Sequence, residues 1–120
     1  MKEQLPQSEN TFQTLVENSL TGIYINLDEK IVFANRRFAD IFGYTVDEII
    51  GIDYLELVHP EDRPKVREIH GKRLAGEPAP PEYESRGQTK DGRTVWIHRR
   101  NTRIDYEGRP AILGNMVDIT

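Results

Sequence analysis

Three short turn signals do most to decide what this chain can fold into. They are the LDEK stretch at 27–30, the Asp-Gly pair at 91–92 and the YEGR stretch at 106–109. Each lies between runs rich in β-branched and aromatic residues, and a tight turn between two such runs predicts a hairpin. Because strands joined this closely must pair with each other, we expect an antiparallel sheet.

Between the first two turns, the spacing of apolar residues lengthens from two positions to three or four. Phe38 and Phe42 lie at helical spacing within residues 36–44. Thr45 and Glu48 then have the spacing of a capping box, which satisfies free backbone N–H groups at the start of a helix. The middle of the chain is therefore predicted to be helical.

The HPEDR stretch at 59–63 gathers a histidine, two carboxylates and an arginine, residue types that catalytic and metal sites use. A helical run follows it, with Val66 and Ile69 on one face. Asp62 is predicted to be the N-cap of that helix, and Pro64 fits its first turn. Because helix initiation accounts for the stretch and no second group of ligands is evident, we interpret it as a helix start.

The fold class follows from the order of the predicted elements. An amphipathic N-terminal helix is expected over residues 8–19, with one apolar face formed by Phe12, Leu15 and Val16. Two strands, several helices and three strands come after it. This order predicts an α+β domain with one antiparallel sheet and helices gathered on one face.

Composition excludes several classes of function. The 120 residues contain no cysteine, which rules out disulfides, thiol catalysis and cysteinyl cofactor adducts. The net charge of −4 argues against nucleic acid as a partner. No apolar run approaches the ~20 residues that cross a bilayer. We therefore expect no membrane contact from this chain and a cytoplasmic location. Residues 1–7 are expected to be a tail or a remnant of cloning.

Motifs typical of enzymes are missing from the sequence. There is no GxSxG, HExxH, P-loop or GxGxxG motif, so we expect no catalytic activity and no metal site. His70 lies beside Ile69 and could reach the inner side of its helix. There it could bind haem iron, or it could be a helix-border histidine that makes one hydrogen bond.

The VWIHRRN stretch at 95–101 is the least ordinary part of the chain. In a strand, Ile97, Arg99 and Asn101 share one face and Trp96 lies on the other. If Ile97 faces the helices, then Arg99 does too, and a buried guanidinium must be paired. An internal carboxylate or an anionic ligand could supply the pairing.

Several stretches, taken together and in order, resemble a PAS domain. They are residues 20–51, the HPEDR turn, the TKDGRTVWI stretch at 89–97 and the closing Asp-Ile-Thr at 118–120. The resemblance covers nearly the whole chain and implies that residues 8–120 form a single PAS domain. It also implies a five-stranded antiparallel sheet in the order 2-1-5-4-3, with helices over one face that enclose a pocket.

PAS domains sense a small molecule, a cofactor-borne signal or a partner, and pass the result to an effector. The resemblance thus implies a sensory module linked to an effector outside this chain, commonly a histidine kinase or a diguanylate cyclase of a bacterial-type protein. The alternative is a ligand-free relay or dimerisation scaffold with a filled core. The signal is expected to leave at the end of the last strand, through Asp118 and Thr120.

The same resemblance narrows the cofactor without assigning one. Flavin-binding light sensors of the family form a cysteinyl adduct, which this cysteine-free chain excludes. Flavin held without a covalent bond is not excluded. Haem-binding members use a histidine on the long helix near His70, and we do not favour haem here. A small organic ligand is the remaining class.

Strand alternation and the implied sheet predict two functional surfaces. The first is a ligand pocket, for most of whose apolar members plain core packing is the alternative. Its predicted lining is Ile25, Phe38, Phe42, Val66, Ile69, Tyr83, Ser85, Ile97, Arg99, Asn101 and Met116. The second is a homodimer contact on the opposite face of the sheet. It is predicted to comprise Phe12, Leu15, Val16, Tyr24, Trp96 and Leu113.

Overall fold

The computed structural model describes Val16 and residues 19–120. Five strands form one antiparallel sheet in the order β2-β1-β5-β4-β3, as the resemblance implies. The strands are β1 (Gly22–Leu27), β2 (Lys30–Ala34), β3 (Glu82–Gln88), β4 (Thr94–Tyr106) and β5 (Arg109–Asp118). The predicted N-terminal helix, with Phe12 and Leu15, lies outside the described residues, apart from Val16, which is helical and buried.

The three predicted turns close the three hairpins of the sheet. Asp28 and Glu29 join β1 to β2 with φ angles of 52° and 67°, and Glu107 and Gly108 join β4 to β5 with 51° and 80°. Positive φ at both central residues is what a tight two-residue hairpin turn requires. Gly92 has a φ of 85° in the turn between β3 and β4.

The helical elements lie between β2 and β3. They are α1 (Arg36–Phe42), α2 (Val46–Ile49), two 3-10 turns (Tyr54–Leu57 and Pro60–Asp62) and α3 (Arg63–Leu74). The predicted capping box at the start of α2 is present. The Glu48 backbone N–H donates to Thr45 Oγ1 over 3.2 Å, and the Thr45 N–H donates to Glu48 Oε1 over 2.9 Å.

Asn35 fixes the start of α1 against the first strand. Its Oδ1 accepts hydrogen bonds from the Phe38 N–H, which caps the helix, and from the Ile23 N–H, both over 2.9 Å. Its Nδ2 donates to the Val16 carbonyl over 2.8 Å. One buried amide therefore ties α1, β1 and the segment before β1 together, which positions the helical layer on the sheet.

Asp62 is the N-cap residue of α3, as predicted, but its side chain makes no capping hydrogen bond. Its carboxylate instead accepts from the Arg86 backbone N–H over 2.7 Å and from the Arg86 guanidinium over 2.8 and 3.2 Å. The Arg86 guanidinium supplies a full positive charge and two donors at once, which the backbone amides at a helix start do not. His59 Nδ1 caps the preceding 3-10 turn by accepting from the Glu61 N–H, and Pro64 lies in the first turn of α3 as predicted.

The core lies between the helices and one face of the sheet, which we call the inner face. Aromatic rings stack through it: the Tyr24 and Phe38 centroids are 4.8 Å apart, and those of Phe38 and Phe42 are 5.1 Å apart. The larger fully buried apolar side chains are Ile31, Phe38, Phe42, Ile49, Leu57, Val58, Ile97 and Ile112. The sheet therefore buries only its inner face against the helical layer.

The predicted sidedness of β1 is wrong. Tyr24 is 4% exposed and lies on the inner face against Phe38, so it is not part of an outer dimer surface. Ile25 is half-buried on the opposite face, so it cannot line a pocket under the helices. The pattern misled because β1 carries apolar residues on both faces, and alternation alone does not say which face the helices cover.

Candidate functional site

Arg99 is the most unusual residue on the inner face. It lies in the middle of β4 and is 2% exposed. Its Nε donates to Ser85 Oγ over 2.6 Å, while its Nη2 is buried and has no hydrogen-bond partner. Among the ion pairs of the described residues, none includes Arg99. An internal carboxylate was one of the two partners that the sequence allowed for Arg99, and none pairs with it among the described residues.

Two phenols and an amide lie beside the Arg99 guanidinium. The Tyr24 hydroxyl donates to Asn101 Oδ1 over 3.3 Å, and Tyr83 is the direct cross-strand neighbour of Arg99. Burial raises the pKa of both Tyr24 and Tyr83, and the positive charge of Arg99 partly opposes the rise. Hydrogen bonding to Asn101 and to Arg99 opposes it further in Tyr24. Both phenols are therefore neutral at physiological pH, and neither offsets the charge of Arg99.

Helix α3 brings a second guanidinium to this region. Arg73 Nε is buried without a hydrogen-bond partner, although the same side chain donates from Nη2 to the Pro80 carbonyl. After the dominant effect of burial and the effect of Arg99, the charge of Arg73 is among the factors that lower the pKa of Tyr24 and of Tyr83. Both guanidinium groups therefore act on the same two phenols.

His70 lies three residues before Arg73, about one turn earlier on α3. Its ring centroid is 4.5 Å from that of Tyr54, and its Nε2 is buried without a partner. Burial lowers the pKa of His70 to about 4, and Arg73 adds to the shift, while Asp53 opposes it. The imidazole is therefore neutral at pH 7, so it adds no positive charge and can donate or accept one hydrogen bond.

Gly114 makes room for the Tyr24 ring. It lies on β5 directly opposite Tyr24 on one side and Asn101 on the other. A Cβ atom at this position would lie 2.1 Å from Tyr24 Cε1 and 2.7 Å from Asn101 Oδ1. No side chain can occupy that space, so glycine is what allows the Tyr24 hydroxyl to meet Asn101 beside Arg99.

The structure sorts the predicted pocket residues into three groups. The first is packed in the apolar core and comprises Phe38, Phe42, Val66, Ile97 and Met116. The second forms the polar part of the inner face and comprises Tyr83, Ser85, Arg99 and Asn101. Of the remaining two, Ile69 is half-buried on α3 and Ile25 lies on the other face of the sheet.

Two residues of this region were missed from the sequence. Arg73 had a usable signal, because it lies seven residues after Val66 and four after Ile69, and therefore on the same helical face. Tyr24 had none, because apolar neighbours flank it on both sides in β1.

The outer face of the sheet has a different character. Trp96 and Val117 are 46% and 41% exposed, while Leu113 is half-buried. The Arg86 guanidinium lies 5.7 Å from the centroid of the Trp96 ring, within cation–π distance. Trp96 and Leu113 therefore lie on the face that the sequence predicted for them.

The predicted exit of the signal is bonded to this outer face. The Trp96 backbone N–H donates to Thr120 Oγ1 over 2.8 Å, and the Ile119 N–H donates to the Trp96 carbonyl over 2.9 Å. Asp118 Oδ1 accepts from the Thr120 N–H over 2.9 Å. The end of β5 is thus held beside β4 by both backbone and side-chain bonds.

Other features of the described residues give no site of their own. Surface clefts of about 340, 540 and 470 Å³ occur, and Arg99 lines none of the three. Within Val16 and residues 19–120, no group of three or more His, Asp or Glu side chains could hold a metal ion. Across that same span, no helix is both long enough and apolar enough to cross a membrane.

Comparison with known proteins places this fold and sequence in a family. The model of the family described as the PAS fold matches residues 31–116. The PAS domain of an HTR-like protein from Haloarcula marismortui superposes with a TM-score of 0.79 at 25% identity. That alignment covers 98% of this chain and 97% of the Haloarcula domain.

Curated relatives are longer proteins that contain a similar stretch. The sensor histidine kinase TmoS of Ectopseudomonas mendocina is 25% identical over 95% of this chain. The methyl sulfide methyltransferase-associated sensor of Methanosarcina acetivorans is 28% identical over 97% of this chain. In both cases the match spans only 12% of the relative. Taken with the sheet order and the family match, these similarities show that the chain belongs to the PAS family.

Proposed function

We propose that this chain is a sensory module that binds a small organic anion at Arg99 and signals through the end of β5. The observation that carries the proposal is the Arg99 guanidinium, which is 2% exposed and has a buried Nη2 without a partner. A carboxylate accepts the free N–H of such a fork and neutralises its charge at the same time.

The energetics of the site support a ligand. An ionised group without a compensating charge costs several kcal/mol to bury. Ser85 Oγ accepts one hydrogen bond from Arg99, but a hydroxyl supplies no negative charge. A position that lowers the stability of the fold in this way is expected where binding requires it. Tyr83 and Asn101 add the few convergent polar groups that a small-molecule site uses.

A route for the signal is supported by the register of the sheet. Arg99 lies directly opposite Met116 on β5, two residues before Asp118. A ligand that binds Arg99 acts on the β4–β5 hairpin. The end of that hairpin is bonded to Trp96 through Thr120. Such a ligand changes the output only by its differential affinity for two states, typically about 1–3 kcal/mol.

The receiver of the signal is proposed to be an effector domain linked to this module. The proposal is supported by the sensor histidine kinase TmoS, in which the matched stretch makes up 12% of the protein. A kinase or another output domain in the same polypeptide would respond to movement at the end of β5. We propose no chemical catalysis by the module itself.

Homodimerisation through the outer face is proposed as the means of coupling two modules. Trp96, Val117 and Ile119 are each more than 40% exposed there, and exposed apolar residues close together are typical of interfaces. Sedimentation of the wild type and of Trp96→Glu tests the proposal. We expect a dimer that the substitution dissociates, and a wild type that stays monomeric at high concentration would contradict it.

A ligand-free relay is the second candidate, and one observation favours it. The Tyr24, Phe38 and Phe42 rings stack in series, and Met116 is buried beside them, so the apolar half of the inner face is filled. In that case Arg99 would be a structural group. The titration below separates the two candidates, because a relay with a filled core responds to no small acid.

A thermal-shift titration with a panel of small organic acids tests the proposal. The wild type, Arg99→Gln and the adjacent Arg100→Gln are compared, since Arg100 is exposed on the same strand. An acid at ~100 times its Kd should stabilise the wild type and Arg100→Gln by about 2.7 kcal/mol. Arg99→Gln should not respond. An equal response of Arg99→Gln, or no response of any variant, would contradict the proposal.

A further inference from the structure

We infer that the ligand is a small dianion, held between Arg99 on β4 and Arg73 on α3. The inference rests on the proposed function, because it assigns a charge to the ligand of the same site. It depends on one further observation. Each guanidinium has a buried N–H group without a partner, Nη2 in Arg99 and Nε in Arg73.

The two arginines face the same part of the interior from opposite sides. Arg99 lies on the inner face of the sheet, next to Tyr83 in the adjacent strand. Arg73 lies on the helix that covers this face, and its Nη2 donates to the Pro80 carbonyl, while the carbonyl of the next residue, Pro81, accepts from the Asn101 N–H over 3.3 Å. Asn101 lies two residues after Arg99, on the same face of β4. One short loop therefore joins Arg73 to the polar part of the inner face.

The described residues do not compensate for either charge. Neither arginine takes part in an ion pair among them. Tyr24 is a buried phenol and Tyr83 a half-buried one, and His70 on α3 is an imidazole rather than an acid. Asp53 Oδ1 accepts from the Leu55 N–H over 2.9 Å, and no ion pair of the described residues joins Asp53 to either arginine. Two like charges remain, and a monoanion would neutralise only one of them.

Arg73 is already oriented for this role. Its Nη2 donates to the Pro80 carbonyl in the loop that leads to β3, while its Nε is buried and has no partner among the described residues. A ligand bound by both arginines would tie α3 to β4. It would therefore act on the packing of the helix against the sheet, and not on the sheet alone.

Matched pairs of acids test the inference by isothermal titration calorimetry. Malonate, succinate and glutarate are compared with propionate, butyrate and pentanoate, which have the same chain lengths and one carboxylate fewer. Inorganic phosphate tests the other source of a dianion, a phosphate group. We expect at least one dianion to bind the wild type 10-fold or more tightly than the monoanions.

Three substitutions on α3 separate the role of Arg73 from a general effect of charge. Arg73→Gln should remove the advantage of the dianion, while Arg67→Gln, an exposed arginine on the same helix, should retain it. Arg73→Lys keeps the charge and guards against misfolding of the glutamine variant. It should retain part of the advantage, because a lysine still attracts an anion but lacks the fork.

Each outcome decides a different statement. If a monoanion binds as tightly as every dianion, and binding requires Arg99 but not Arg73, the inference of a dianion is wrong and the proposed function stands. If no acid binds in a manner that depends on Arg99, both are wrong. Binding of phosphate alone, dependent on both arginines, would support the dianion and assign it to a phosphate group.

Discussion

Two arginines on neighbouring strands show how differently the two faces of this sheet are used. Arg86 on β3 points to the outer side, where Asp62 accepts two hydrogen bonds from its guanidinium and Glu61 lies 3.2 Å away. Arg99 on β4 points inward, is nearly fully buried and donates to the Ser85 hydroxyl, and no carboxylate of the described residues pairs with it. The more accessible arginine is thus the better compensated of the two.

The difference indicates which arginine serves the fold and which serves a ligand. Arg86 joins the start of α3 to β3 and also lies over Trp96, so its partners account for its presence. Arg99 contributes an uncompensated charge to the interior, which lowers the stability of a fold that would pack without it. The predictions that follow test this contrast, beginning with the largest expected effect.

Gly114→Ala should have the largest effect, because it disrupts the inner face. The new Cβ would lie 2.1 Å from Tyr24 Cε1, so the ring must leave its position against Phe38. We expect a loss of about 3 kcal/mol in the free energy of unfolding, measured by chemical denaturation. Gly71→Ala is the control, since nothing lies within 4 Å of its Cβ, and helix propensity should make it neutral or stabilising. Equal losses in both variants would refute the close packing of Tyr24.

His70 should make the inner face sensitive to mild acid. Its pKa is lowered to about 4 by burial, so the folded protein binds the proton less readily than the unfolded chain does. The stability due to neutral His70 is present above pH 6.5 and is lost as the pH falls towards 4, by about 2 kcal/mol. His70→Gln should remove the loss in this window. A wild type whose stability is flat from pH 6.5 to 4 would speak against a buried neutral imidazole.

Arg86→Met should destabilise the fold moderately. It leaves the Asp62 carboxylate, which is 16% exposed, without its cation. We expect a loss of about 1–2 kcal/mol in the free energy of unfolding, because the pair is only partly buried. A double-mutant cycle with Asp62→Asn measures the coupling directly. A coupling energy of zero would show that Arg86 is held by Trp96 rather than by Asp62.

Protonation of Asp62 should lower the free energy of unfolding less than protonation of His70 does, and at a lower pH. The hydrogen bonds from Arg86 hold the pKa of Asp62 at about 2, below the 3.8 of a free carboxyl. Its stabilising effect is therefore complete above pH 3.8 and is lost as the pH falls through 2, by about 1 kcal/mol after allowance for solvent. Acid unfolding of Asp62→Asn should lack this step. An unchanged acid limb in the variant would contradict the assignment.

The sequence predicted the local structure of this molecule better than the use of its side chains. The hairpin turns and the Thr45–Glu48 capping box follow from local rules, and all are present. The order of the strands came from the family resemblance, because long-range pairing leaves no local pattern. It is confirmed by the sheet.

The errors concern side chains with more than one available environment. Tyr24 was assigned to the wrong face because Ile23 and Ile25 beside it are apolar as well. The Asp62 side chain was expected to bond the helix that it precedes, because its actual partner, Arg86, lies 24 residues away in the sequence. The burial of Arg99 was anticipated, because Ile97 two residues earlier fixes the parity of β4.

The stability of Arg99→Met without ligand tests the central claim most directly. Methionine has a similar length and needs no counter-charge, so removal of an uncompensated guanidinium should not destabilise the protein. We expect the free energy of unfolding, measured by urea denaturation, to stay the same or to rise by up to about 2 kcal/mol. A loss of about 3 kcal/mol or more would contradict the account, because it would show that Arg99 stabilises the fold rather than awaits an anion.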